Sequence, residues 1–191
     1  MNEIKIRNAK ESDAEILSEI YAYYVLNTAI TFECAAPDSN EFARRMRAVQ
    51  RKYPYLVCEL DGKIAGYAYA AHFNERDAYS HSAEVTIYIA KDFRRSGIGR
   101  KLYQALEEIL CRMNVKNLYA CIAHPDTDDE YLNRDSEHFH EHMGYKICGT
   151  FRDCGYKFSR WYSMVWAEKQ IAAHEPNPAP FIPITRVPEQ I

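Results

Sequence analysis

The stretch from residue 84 to residue 123 constrains this chain more than any other. Residues 84–90 alternate, with Val85, Ile87 and Ile89 on one face and Glu84, Thr86 and Tyr88 on the other, the period of a strand. The alternation breaks at Arg94-Arg95-Ser96-Gly97-Ile98-Gly99. A helix-spaced apolar series follows at Leu102, Leu106, Ile109, Leu110 and Met113, and residues 118–123 return to strand. Strand, loop, helix and strand in that order make a parallel crossover. Such a unit is stable only inside a sheet with packing on its faces.

The remaining segments read as companions to that unit. Ile4 and Ile6 mark a short strand. Ser12-Asp13-Ala14-Glu15 has the pattern of a capping box before Ile16, Leu17, Ile20, Tyr21 and Tyr24 at helical spacing. After a loop over 27–37, Asp38 is placed to cap a second helix with Phe42, Met46, Val49 and Tyr53 on one face. Residues 55–60 and 63–71 form a hairpin across Asp61-Gly62, a tight-turn pair. Residues 72–81 are polar and irregular. A polar, acidic insert over 124–131 precedes a short helix ending at Gly144, and residues 146–151 and 161–167 make a last antiparallel pair. The order β-α-α-β-β-β-α-β-α-β-β predicts an α/β (α+β) fold: one mixed, twisted sheet with helices on both faces. Five of the eight prolines follow His174, so residues 1–170 read as one domain and 171–191 as an extended, Pro-rich tail.

At 191 residues the chain suits a single domain, and its net charge of -3 argues against a protein that coats nucleic acid. No apolar run reaches the roughly 20 residues of a membrane span, and the polar N-terminus lacks the basic start and apolar core of a signal peptide. The six cysteines form no C-x-x-C pair and read as free, mostly buried thiols of a cytoplasmic protein.

Chemistry concentrates at the loop. A helix N-terminus offers unpaired N–H groups and the positive end of its dipole. Glycines let a ligand approach that backbone, and Arg94, Arg95, Arg100 and Lys101 add charge. The arrangement is that of an anion site, pyrophosphate foremost, with a plain glycine-rich turn as the bland alternative. The P-loop pattern G-x-x-x-x-G-K-[ST] is absent. A dinucleotide fingerprint would need glycine where Leu102 stands.

Arg94-x-x-Gly97-x-Gly99 after a strand resembles the acetyl-CoA loop of the GNAT N-acetyltransferase superfamily. Further matches follow in order: Tyr53-Pro54-Tyr55-Leu56-Val57, Gly66-Tyr67-Ala68-Tyr69, Arg76-x-Ala78-Tyr79, Glu84-x-Thr86-x-Tyr88, Asn133-x-x-Ser136, His140-Glu141, Gly144-Tyr145 and Gly155-Tyr156-Lys157. Together they look like the phosphinothricin N-acetyltransferase branch, over about residues 3 to 168. Two features depart from it: the insert 125–131, and Asn74 where relatives often carry a basic residue.

The resemblance implies acetyl-CoA as co-substrate, no metal, and a small amino acid or analogue as acceptor, of the phosphinothricin, methionine sulfoximine or methionine sulfone type. It implies a homodimer and no nucleic-acid or membrane partner. Cofactor contacts are expected from Ile87, Tyr88 and Ile89, whose backbone would pair with the pantetheine arm. A backbone N–H there would steady negative charge on the thioester oxygen. Further contacts are expected from Arg94, Arg95, Ser96, Gly97, Ile98, Gly99, Arg100, Asn133 and Ser136. Glu84 is expected as general base, because a free amine is mostly protonated below its pKa of about 8. His140 is expected as a second catalytic residue, with Tyr131 and Ser136 as other proton donors to the leaving thiolate. Arg76 and Tyr79 are expected to bind substrate, the Arg fork suiting an α-carboxylate, with Phe32 and Trp161 as pocket walls. His138 and His142, one helical turn apart, read as a solvated face rather than metal ligands. Acetylation of another amine, such as a polyamine or a protein N-terminus, and a non-catalytic CoA sensor are the alternatives. The absence of a carboxylate on polyamines and the presence of Glu84 speak against them.

Overall fold

The computed structural model describes residues 3–188. One seven-stranded sheet carries the fold, in the order β1-β2-β3-β4-β5-β7-β6. Strands β1 (Ile4–Asn8), β2 (Tyr55–Leu60), β3 (Lys63–His72) and β4 (Ser82–Ile89) run as an antiparallel meander. Asp61 (φ 49°) and Gly62 (φ 78°) both take left-handed backbone in the β2–β3 turn, as a two-residue hairpin with right-twisted strands requires. Helices α1 (Ala14–Asn27) and α2 (Ser39–Gln50) cover one face, over Tyr55, Val57 and Tyr67. Helix α3 (Ile98–Arg112) covers the other, burying Leu102, Leu106, Ile109 and Leu110 against Leu56, Ala68, Val85 and Leu118. Truncating any of these leucines to Ala should cost about 2–5 kcal/mol.

β5 (Asn117–His124) returns parallel to β4, but the two pair only at Ser82, Ala83 and Glu84, opposite Asn117, Leu118 and Tyr119. Beyond Glu84 the strands part. Helix α4 (Asp135–His142) lies past the end of β5, and β6 (Lys146–Lys157) and β7 (Arg160–Gln170) complete the sheet as a hairpin.

Three local expectations are corrected. Ser12 does not cap α1. Asp13 instead accepts the Lys10 N–H at 2.7 Å and pairs with Arg7 at 2.7 Å, closing a short 3-10 turn ahead of the helix. The last hairpin is longer than its apolar runs. A bulge near Asp153 (φ 46°) interrupts the alternation of β6, and pairing resumes at Gly155 up to a turn at Phe158 and Ser159. Of the cysteines only Cys58 is buried; the others lie on the exposed face of α3, an edge strand, a surface turn or the cavity wall. Residues 171–188 of the tail are extended with one 3-10 turn (Ile184–Arg186). They lie on this chain's own core: Phe181 packs on Tyr53, and the Ile182 and Ile184 N–H groups donate to Met113 and Lys52 carbonyls.

Candidate active site

Where β4 and β5 part, a cavity of about 390 Å³ passes between the two sheet faces. It shares Ile30, Ile87 and Ser136 with a second cavity of about 410 Å³ beneath the glycine-rich loop. Glu84 is the last β4 residue paired with β5, so its side chain stands where the opening begins. Its carboxylate has no ion pair or hydrogen-bond partner among the described residues, and burial raises its pKa above the usual carboxylate range. A base without a counter-ion, partly desolvated and facing a cavity, is poised to accept a proton.

The backbone beside it is oriented by strand alternation. Ala90 donates its N–H to Ala65 of β3 at 2.9 Å, so Ile89 and Ile87 turn their polar groups the other way, into the opening. The Ile89 carbonyl is capped by the Tyr24 hydroxyl at 2.5 Å. Ile87 and Tyr88 line the first cavity and Ile87 and Ile89 the second.

All of Arg94, Arg95, Ser96, Gly97, Ile98, Gly99, Arg100, Asn133 and Ser136 line the second cavity. Arg95 (φ 59°) and Gly97 (φ 81°) adopt left-handed backbone, the alternation that curves N–H groups into a concave anion cradle. A Cβ at Gly97 would meet no protein atom within 4 Å, so it is the left-handed backbone and not crowding by this chain that calls for glycine there. At Gly99 a Cβ would lie 3.1 Å from the Phe139 ring, so that glycine serves the packing of α3 on α4. The Arg94 guanidinium stacks over Tyr23 and Tyr24 at 5.5 and 5.0 Å. This cradle fits a pyrophosphate.

His140 is buried and lines the first cavity. Its Nδ1 lies 2.7 Å from the Ser136 carbonyl, which only accepts, so the proton sits on Nδ1; Nε2 then accepts from the Tyr103 hydroxyl at 3.0 Å. Burial pushes the ring pKa down to about 4, outweighing the opposing Ser136 hydrogen bond. The imidazole is neutral near pH 7 and turns no free N–H toward the cavity. Tyr103, fully buried on α3, is the hydroxyl at that wall, and the spacing of the apolar series gave no reason to single it out.

Phe32 lines the first cavity, but Trp161 does not: it is 62% exposed on β7, paired with Tyr156. Arg76 and Tyr79 also lie outside the cavity wall. Arg76 is exposed with no side-chain partner among the described residues. Tyr79 packs on Phe73, which stacks on Tyr119 beside Glu84's strand. His138 and His142 are exposed, as a solvated face requires, and also line the loop cavity. Lys157 was also missed. It is buried, donates to the Thr31 carbonyl at 2.7 Å, and so tethers a segment of the cavity wall. Among the described residues no group of three or more His, Cys, Asp or Glu is placed to hold a metal ion.

A family model described as an acetyltransferase (GNAT) domain matches residues 6–166. The phosphinothricin N-acetyltransferase of Streptomyces viridochromogenes is 29% identical over 184 residues, 96% of each chain. That of Alcaligenes faecalis is 32% identical over 169 residues, 88% of this chain and 83% of its own. The crystal structure of a GNAT superfamily phosphinothricin acetyltransferase from Sinorhizobium meliloti in complex with AcCoA superposes with a TM-score of 0.81 at 26% identity, covering 95% of this chain and 98% of that one.

Proposed function

Because this chain belongs to the GNAT acetyltransferase family and is an N-acetyltransferase, we propose that it acetylates the α-amino group of a small amino acid or analogue, with Glu84 as general base. The observation that carries the reading is the position of Glu84 at the start of the parting, in a cavity continuous with the anion cradle. The cradle, with Arg94, Gly97 and Arg100, would hold the pyrophosphate of acetyl-CoA. When bound, acetyl-CoA supplies an acetyl group activated as a thioester. Glu84 removes the ammonium proton, directly or through water, and so exposes the amine lone pair, which forms the new C–N bond as the thioester C–S bond breaks and CoA leaves as its thiolate. The N–H groups of Ile87 and Ile89 face the position where negative charge develops on the carbonyl oxygen. This reading assigns the α-carboxylate to Arg76, on the exposed loop outside the cavity wall, with Tyr79 three residues on.

The acceptor is of the phosphinothricin, methionine sulfoximine or methionine sulfone type, as the relatives' names suggest. A homodimer and a cytoplasmic location belong to the same reading. Tyr156 and Trp161, exposed and packed on each other on the outer hairpin, offer an apolar face to a second copy. No helix of the described residues is long and apolar enough to cross a membrane. Thiol release from acetyl-CoA, measured against the twenty amino acids, phosphinothricin and the two methionine analogues, tests the assignment. An α-N-acetylated product of one of them is expected. Turnover of diamines or peptides with none of these acceptors would overturn it.

A further inference from the structure

The insert 125–131 is the part of the chain that the resemblance does not explain, and it is tightly built. Asp129 accepts four hydrogen bonds. One carboxylate oxygen takes the N–H groups of Tyr131 and Leu132, both at 2.8 Å; the other takes Arg160 Nη1 at 2.8 Å and the Tyr162 hydroxyl at 2.9 Å. Arg160 also donates to Glu130 at 2.8 Å and lies over the Tyr131 ring, which stacks on Phe158 at 4.2 Å. Insert and outer-hairpin turn are thereby one unit.

That unit holds the substrate wall. The Ala29 N–H donates to the Tyr131 carbonyl at 3.0 Å, and Ala29, Leu132 and Tyr162 form a small buried core. The next three residues, Ile30, Thr31 and Phe32, line the same cavity as Glu84. Phe32 sits against Gly155 so closely that a Cβ there would lie 2.3 Å from its ring, and Lys157 ties down the Thr31 carbonyl. The wall is therefore held from behind along its length.

We propose that Asp129 and Arg160 form a latch that fixes the wall at residues 30–32 and so sets the upper size limit of the acceptor amine. They are specificity-determining residues rather than catalytic ones. The inference rests on the amino-acid reading above. It assigns the acceptor class as small, free α-amino acids, with longer side chains excluded by a wall that cannot retreat.

The test uses the full chain and a ladder of straight-chain α-amino acids of increasing length. Wild type should show an optimum and then a steep fall in kcat/KM. Asp129→Asn and Arg160→Met should raise the ratio of the longest to the optimal acceptor by about tenfold or more, the discrimination one misfitting methylene supplies. Acetyl-CoA affinity should stay within about twofold, since neither residue lines its cavity and, of the wall, only Ile30 reaches it. Asp129→Glu keeps the charge and should restore part of the discrimination. An equal loss on every rung, with the ratio unmoved, would mean that the latch only supports the fold and would overturn the proposal. Hydrogen exchange decides separately. Amides 28–32 should exchange faster in Arg160→Met, and unchanged protection there overturns the latch. A wild type that acetylates neither a rung of the ladder nor phosphinothricin or the two methionine analogues overturns the amino-acid reading instead, and leaves the exchange measurement standing.

Discussion

Replacing Glu84 by Gln should move activity and stability in opposite directions. The amide keeps the shape of the side chain and removes its ability to take a proton. General-base catalysis contributes about 10²–10⁴ in rate, which is about 2.7–5.4 kcal/mol of barrier. The loss should fall on kcat, with acetyl-CoA affinity unchanged, because Glu84 does not line the glycine-rich cavity. Burial raises the Glu84 pKa and no cation offsets it. An acid whose pKa is higher in the folded state binds more protons folded than unfolded across that window. Stability is therefore greatest below the unfolded carboxylate pKa and falls as pH rises through the folded one. At pH 7–8 the wild type carries that cost and Glu84→Gln does not, so the variant should melt at the same temperature or higher while turning over far more slowly. The wild-type rate should show an acid limb displaced above the ordinary carboxylate range, absent from the variant's residual activity. Stopped or continuous thiol-release assays between pH 5 and 9 read the first effect and differential scanning calorimetry the second. A variant retaining wild-type kcat throughout that range, or one that melts well below wild type, would refute the reasoning.

Gly97→Ala places a methyl group in the anion cradle at φ 81°; a fold cost of about 1–2 kcal/mol is expected from the left-handed backbone, and acetyl-CoA binding by calorimetry should weaken by about tenfold or more, one charge-assisted hydrogen bond. Arg76→Ala should lower kcat/KM for amino acids by about tenfold to a hundredfold, the worth of a charge-assisted contact, and hardly touch decarboxylated amines; an equal effect on both would reduce Arg76 to loop support. His140→Gln should leave the acid limb of the rate profile where it is, since the ring titrates near 4. Wild type should lose stability as pH falls from about 6.5 toward 4, where the unfolded chain binds the extra proton, and the variant should lose less.

The crossover unit was legible because each of its signals is local. Val85, Ile87 and Ile89 alternate, Gly97 supplies the left-handed step, and Leu102 to Met113 keep helical spacing. The cradle residues are contiguous for the same reason, and all of them face one cavity. What escaped depends on distant partners. His140 looked like an acid by its type, yet its role is set by Tyr103, 37 residues away, and by the carbonyl of Ser136. Trp161 looked like a wall, but the bulge near Asp153 decides which parts of the outer hairpin reach the cavity. Asp129 was one acid in an acidic run. Only the approach of Arg160 and Tyr162 singles it out.

The parting of β4 from β5 has a consequence for how this protein should be measured. Three residue pairs join the strands, and beyond them the Ile87 main chain and the Ile89 N–H face the cavity with no pairing to β5. An interior edge of this kind is an unfinished part of the fold, completed by whatever extended chain enters it. Binding and folding then draw on the same hydrogen bonds. A ligand present at a hundred times its dissociation constant adds about 2.7 kcal/mol to the folded state. For a chain of this size that is a rise of roughly 5–10 °C in melting temperature. Ranking variants by the melting of the ligand-free chain therefore ranks an incomplete sheet. A substitution along the gap, neutral by that measure, reveals its cost only when the slot is filled.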